Sequence, residues 1–274
     1  MIEEVDVTDK SRFLSAAVRG LPVYSGVLTA DALPTGTSAG EVALLHLNES
    51  PFPPSPRVVD AVARSAGQIN RYGSSHPERL AKRLAERTGI LPSRIVIGNG
   101  SDEILAFVCQ MCLTSGDSAV MPTPSFPRYR LSTRLMGAEP RLVRNLADGR
   151  NDVAGLIKAI DHTTRVVFAC TPNNPSGAPL EQAELAELAR AVPEDVLLVV
   201  DEAYAEFHAY EGGKDALGAL AARNGPWLST RTLSKAYSLA GMRVGYGLAG
   251  SEAVAEGLLR VKLNFNLGIL AIYA

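Results

Sequence analysis

Two habits of apolar and polar placement alternate along the chain. Short apolar runs occur at Arg94–Ile97, Ser118–Met121, Pro140–Val143, Arg165–Ala169, Val196–Val200, Trp227–Thr230 and Val244–Leu248. Between most of them lie stretches with apolar residues at helical spacing. Glu78–Thr88 carries Leu80, Ala81, Leu84 and Ala85, and Gln182–Val192 carries Leu185, Leu188, Ala189 and Val192 on one face. Ser101–Leu113, Pro127–Met136 and Val153–Ile160 are the further helices predicted between strands. Residues 58–66 repeat the stripe after the Pro-rich Pro51–Pro56. The run Val-Leu-Leu-Val-Val at 196–200 has no polar alternation, so both of its faces are expected to be buried. The pattern predicts an α/β fold, with a seven-stranded, mainly parallel sheet and helices on both faces. Residues before about 40 lack periodicity and read as an arm.

In such sheets ligands bind where strands end, so the chemistry is sought there. Gly98-Asn-Gly-Ser-Asp-Glu103 follows the first strand and opens a helix. Its glycines let the backbone approach a ligand, and the helix N-terminus suits a phosphate, although such a turn is often only a turn. Cys170-Thr-Pro-Asn-Asn-Pro-Ser-Gly177 reads either as a tight turn or as a loop aiming the Asn174 amide into a crevice. Asp201 follows five apolar residues, so it is either a helix cap or a carboxylate held against a buried cation. Lys235 lies between the last two strands with hydroxyls at Thr232 and Ser234, and Arg243 follows 243 − 235 = 8 residues later. One ligand accounts for all of these together. Pyridoxal 5′-phosphate has a phosphate, a ring nitrogen that an Asp can keep protonated, an electrophile for a Lys amine and a ring oxygen for Asn and Tyr.

Composition narrows the alternatives. With 27 Lys+Arg against 29 Asp+Glu, the net charge of −2 argues against an electrostatic nucleic-acid binder. No apolar run approaches the ~20 residues of a membrane span, and the acidic Met1–Asp6 does not resemble a secretory signal. Three cysteines cannot build a disulfide framework, which fits a cytoplasmic protein. Cys109 and Cys112 form C-x-x-C inside an apolar helix and read as packing positions. The four histidines lack metal-ligand spacing, so no metal is expected.

Six segments, in this order, resemble the fold-type I pyridoxal-phosphate aminotransferases, and among them the histidinol-phosphate aminotransferases. They are Leu47-Asn-Glu-Ser-Pro-Phe52, Asn70-Arg-Tyr-Gly73, Gly98–Glu103, Pro172–Gly177, Asp201-Glu-Ala-Tyr204, and Arg231–Tyr237 with Leu239–Gly245. The resemblance spans about Leu21 to Leu270. It implies that Lys235 is the Schiff-base lysine and that Asp201 holds the pyridinium proton. Asn174 and Tyr204 would bond the ring oxygen. Gly100, Ser101 and Asp102 (through backbone N–H), Thr232, Ser234 and Arg243 would hold the phosphate, and Phe126 would stack on the ring. Tyr72 would reach the phosphate of a partner subunit, making a homodimer with shared active sites. Tyr24 and Asn48 would shape the substrate pocket. The implied reaction is ping-pong transamination between L-histidinol phosphate and 2-oxoglutarate, with Lys235 moving the proton.

Three features depart from the family pattern. The usual Asn-Glu-Asn-Pro reads Asn48-Glu-Ser-Pro51, and the usual Phe-Gly reads Tyr237-Ser238. The chain ends at Ala274, where the family enters its C-terminal small domain. The resulting expectation is an arm at 1–45, a cofactor-binding class I/II-like large domain at 46–262, and at 263–274 the start of a small domain that is largely absent. The same resemblance leaves open an aromatic or other amino-acid aminotransferase, a decarboxylase of an amino-acid phosphate, and an inactive cofactor-binding or regulatory module.

Overall fold

The computed structural model describes residues 13–21 and 45–274. The expected arm therefore falls mostly, and Tyr24 wholly, outside the described residues. The described helices are α1 (Ala16–Arg19), α2 (Pro56–Ser65), α3 (Glu78–Thr88), α4 (Gly100–Cys112), α5 (Pro127–Leu135), α6 (Val153–Lys158), α7 (Gln182–Ala191), α8 (Ala205–Tyr210), α9 (Leu217–Ala221), α10 (Glu252–Val261) and α11 (Ile269–Tyr273). The strands are β1 (Ile95–Asn99), β2 (Ser118–Thr123), β3 (Glu139–Arg144), β4 (Thr164–Cys170), β5 (Leu197–Asp201), β6 (Trp227–Thr232) and β7 (Val244–Ala249). All seven expected strands form. Helices α8 to α11 were not anticipated; α8, α9 and α11 are only five or six residues long, too short to display a full apolar stripe.

The strands make one sheet in the order β1-β7-β6-β5-β4-β2-β3. The pairs β2–β3, β2–β4, β4–β5 and β5–β6 are parallel, whereas β7 runs antiparallel to both β1 and β6. Every strand except β7 thus points its carboxyl end toward one edge, and β7 begins at that edge.

The apolar strands are covered on both sides. On β5, Leu197 and Val199 pack with Phe107, Val108 and Leu258 from α4 and α10. Leu198 and Val200 point the opposite way, toward Leu156, Leu185, Leu188 and Leu220 from α6, α7 and α9. A third cluster joins Leu84 of α3 to Ile97, Tyr246 and Leu248. Local chemistry fixes the helix ends. Asp152 accepts a hydrogen bond from the Gly155 N–H at 2.9 Å to start α6, and Gly89, at φ 72°, closes α3 in the left-handed conformation. Cys109 is buried and Cys112 half-buried, and burial pushes both thiols up to about 12, as befits packing positions. Among the described residues no helix is long and apolar enough to cross a membrane, and no three His, Cys, Asp or Glu side chains gather around a metal position.

Candidate active site

The carboxyl ends of β1, β2, β4, β5 and β6 and the start of β7 surround a cleft of about 670 Å³. Asn48, Ser101, Asp102, Phe126, Asn174, Asp201, Tyr204, Thr232, Ser234, Lys235 and Arg243 all line it. Residues up to 195 positions apart (243 − 48) in sequence therefore share one cleft: those from Ser101 onward lie at or beside strand ends on the same edge, and Asn48 is brought there by the segment before α2.

Asp201 ends β5 and is 2% exposed. Its Oδ2 accepts a hydrogen bond from the Tyr129 hydroxyl at 2.7 Å, and its Oδ1 accepts one from the Ala203 N–H at 3.2 Å. Burial disfavours the charged form and pushes the carboxyl up to about 6, while the Tyr129 hydrogen bond pulls it down. The buried guanidinium of Arg231 pairs with the neighbouring Glu202 rather than with Asp201. Glu202 Oε2 accepts from Ser229 Oγ at 2.5 Å and from Arg231 Nη2 at 3.1 Å. Successive strand residues face opposite ways, so Asp201 is left for the cleft.

Lys235 sits half-buried on the loop after β6, and its Nζ donates to the Leu47 carbonyl at 2.8 Å. Burial first, and then the Arg243 cation, lower its pKa, which favours the nucleophilic amine. The Asn48 amide donates to the Tyr204 hydroxyl at 2.9 Å, so the segment carrying Asn48 is held against the loop after β5. Burial raises the Tyr204 phenol, which stays neutral.

At the other end of the cleft, Gly100 and Ser101 open α4, whose first N–H groups have no intrahelical partners. Thr232 Oγ1 donates to Ser234 Oγ at 2.9 Å, and Arg243 Nη1 approaches the same Ser234 oxygen at 3.4 Å. Arg243 adopts φ 54° and ψ 53°, a left-handed backbone unusual for a non-glycine residue. A side-chain carbon at Gly100 would lie 2.6 Å from Arg243 Nη2, and one at Gly245 would overlap the Ser101 nitrogen. Both glycines keep open a cradle of backbone N–H, hydroxyl and guanidinium groups.

Two expected residues keep their side chains out of the phosphate cradle. The Asp102 side chain is drawn aside by Arg128, whose Nε and Nη2 contact its two oxygens at 2.7 and 2.6 Å. Only its backbone remains for an anion. Tyr72 is 83% exposed, stacks on Phe265 at 4.9 Å between ring centroids, and does not line the cleft of its own chain.

Sequence reasoning missed Tyr129, Asn173 and Leu47. Asn173 accepts from Ser125 Oγ at 2.7 Å and donates to Ser176 Oγ at 2.8 Å, clamping the loop that carries Asn174. Its place beside Asn174 was a signal; the Leu47 carbonyl gave none.

The arrangement suits pyridoxal 5′-phosphate on structural grounds. A buried carboxylate with no cationic partner among the described residues suits a protonated ring nitrogen. The glycine-lined cradle suits a phosphate dianion, and a lysine of lowered basicity faces the same space.

Comparison with known proteins agrees. Residues 41–272 match the family aminotransferase class I and II. A histidinol-phosphate aminotransferase of Shouchella clausii is 37% identical over 255 residues, covering 93% of this chain and 68% of that protein. An aromatic amino acid aminotransferase of Cutibacterium acnes is also 37% identical, covering 93% and 69%. The crystal structure of a histidinol-phosphate aminotransferase from Sinorhizobium meliloti in complex with pyridoxal 5′-phosphate superposes with a TM-score of 0.77 at 29% identity. That match covers 82% of this chain and 61% of the solved one. The chain thus spans about two thirds of the length of these relatives.

Proposed function

The chain belongs to the aminotransferase class I and II family, and from that premise we propose that it is a pyridoxal-phosphate-dependent transaminase whose amino donor is L-histidinol phosphate and whose acceptor is 2-oxoglutarate. The observation that carries this reading is the convergence of Lys235, Asp201 and Arg243 on one cleft. When bound, the cofactor supplies a carbonyl that captures an amine and a ring that absorbs the charge left on the substrate carbon.

The chain's own residues do the rest. Arg243, Ser234, Thr232 and the N–H groups of Gly100 and Ser101 hold the phosphate. Asp201 keeps a proton on the ring nitrogen. Asn174 and Tyr204 hold the ring oxygen, and Phe126 covers a ring face. The Lys235 amine would take the proton from the substrate α-carbon and hold it for return. The exposed Tyr72 completes the phosphate site of a partner subunit in a cytoplasmic homodimer. Asn48 shapes the donor pocket, and the same role for Tyr24 rests on the family resemblance alone.

The test loads the chain with pyridoxal 5′-phosphate, fixes the link with borohydride and locates it by mass. A label on Lys235 supports the reading, and a label elsewhere removes it. The donor half-reaction is then followed by absorbance with L-histidinol phosphate and with L-phenylalanine, and the acceptor half-reaction with 2-oxoglutarate. The second donor is included because the Cutibacterium acnes protein is as similar as the Shouchella clausii one. Faster reaction with phenylalanine would transfer the proposal to an aromatic substrate. Carbon dioxide release from an added amino-acid phosphate in the absence of an acceptor would indicate a decarboxylase.

A further inference from the structure

Tyr129 does not line the cleft. It lies beneath it on α5, 1% exposed, with its ring stacked on Phe168 at 4.9 Å and 11° and set edge-on to Phe126 at 5.9 Å. Its hydroxyl rests 2.7 Å from Asp201 Oδ2. A hydroxyl in that place donates to a carboxylate and has little to offer a protonated acid on the same oxygen.

We propose that Tyr129 is a positioning residue that keeps Asp201 an anion, so that the proton shared between Asp201 and the ring nitrogen of the cofactor resides on the nitrogen. The proposal rests on the reading of the cleft as a pyridoxal-phosphate site. A shared proton stays with the more basic partner. Burial alone raises Asp201 toward the basicity of a pyridine, and the Tyr129 hydrogen bond opposes that rise. The phenol itself is pushed well above its usual range by burial and by the neighbouring carboxylate, so it remains a donor.

The other titratable neighbours do not replace it. Glu202, just after β5, turns to Ser229 and Arg231, and its charge opposes ionisation of Asp201. Cys170 on the adjacent β4 is pushed up to about 12 and stays neutral, as does the raised Tyr204 phenol.

The test binds pyridoxal 5′-phosphate labelled with ¹⁵N in the ring to the full chain and records the nitrogen resonance, which reports the position of the proton directly. Tyr129→Phe keeps the ring stack and removes the hydroxyl. We expect its resonance to move toward the unprotonated position, with about a tenfold change in the ratio of proton positions, ~1.4 kcal/mol. Phe168→Leu loosens the packing and keeps the hydroxyl; it should lower the melting temperature and leave the resonance in place. A third chain carries 3-fluorotyrosine at position 129, a stronger donor of nearly the same shape. It should move the resonance in the opposite sense, and it tests the idea even where Tyr129→Phe does not fold. An unmoved resonance in the Tyr129 chains overturns the role of Tyr129. A wild-type chain that binds no label overturns the reading of the cleft itself.

Discussion

A methyl group at Gly245 would overlap the backbone nitrogen of Ser101. Gly245 lies on β7 opposite Gly98 of β1 and Thr232 of β6, so the first turn of α4 rests directly on the strand that follows Arg243. Only a residue without a side chain lets the helix N-terminus, the guanidinium and the hydroxyls share one anion site. Gly245→Ala must push Ser101 away. We expect a loss of stability of about 1–3 kcal/mol, typical of overpacking, and at least a tenfold weaker pyridoxal-phosphate affinity. Titration by fluorescence alongside thermal melting checks both.

Lys235→Ala should abolish the borohydride-fixed cofactor link while leaving the fold intact. The side chain is half-buried, and its one hydrogen bond among the described residues is to the Leu47 carbonyl. Circular dichroism unchanged from wild type and mass spectra without the adduct are the expected pair of results. An adduct that survives would move the covalent role to another lysine.

Asp201→Asn should lower turnover far more than cofactor affinity. An amide cannot keep the ring nitrogen charged, whereas the phosphate cradle at Gly100, Ser234 and Arg243 lies apart from it. Each pKa unit of lost stabilisation corresponds to ~1.4 kcal/mol, tenfold in rate. Unchanged single-turnover rates with bound cofactor would remove Asp201 from the mechanism.

The same residue sets a pH signature in the cofactor-free chain. Its folded-state pKa, about 6, lies above the ordinary 3.8, so between these values the folded state binds more protons than the unfolded one. Stability should therefore fall as pH rises from about 4 to 6, by up to about 3 kcal/mol. Asp201→Asn should flatten this slope. Urea denaturation at pH 4 and pH 7 of both chains measures it, and equal slopes would contradict the assignment.

Arg223 offers a contrast away from the cleft. It is 8% exposed and donates to the carbonyls of Ala189, Val192, Pro193, Val196 and Pro226 at 2.5 to 3.3 Å. It ties the end of α7 to the starts of β5 and β6. Arg223→Met removes all five donations; Val196 N–H still reaches the Pro193 carbonyl and Leu198 N–H the Pro226 carbonyl, and each buried acceptor left unsatisfied costs about 1–3 kcal/mol. We expect a loss of at least about 3 kcal/mol in urea denaturation, with pyridoxal-phosphate affinity at the remaining folded protein unchanged.

The sequence by itself determined where the strands lie and which loops carry chemistry. A strand buried on both faces must be apolar throughout, so Val196–Val200 announces itself, and a charged residue immediately after it, Asp201, must sit at a special place. The same logic reached Lys235, Asn174 and Ser101. Tertiary structure decided the rest. The direction of β7 is not written in Val244–Ala249, because parallel and antiparallel neighbours demand the same apolar residues; yet only the antiparallel choice brings Arg243 to the edge where Lys235 and Ser101 stand. The face of Asp201 against that of Glu202 was settled by which side holds Arg231 and Ser229. Tyr129 reads locally as one more helix residue, and its hydroxyl finds Asp201 across 72 residues of chain. Local periodicity reports burial, which every residue expresses through its own polarity. A hydrogen bond between distant side chains depends on how the intervening elements stack, and that is fixed only when the sheet closes its order and the helices settle on its faces.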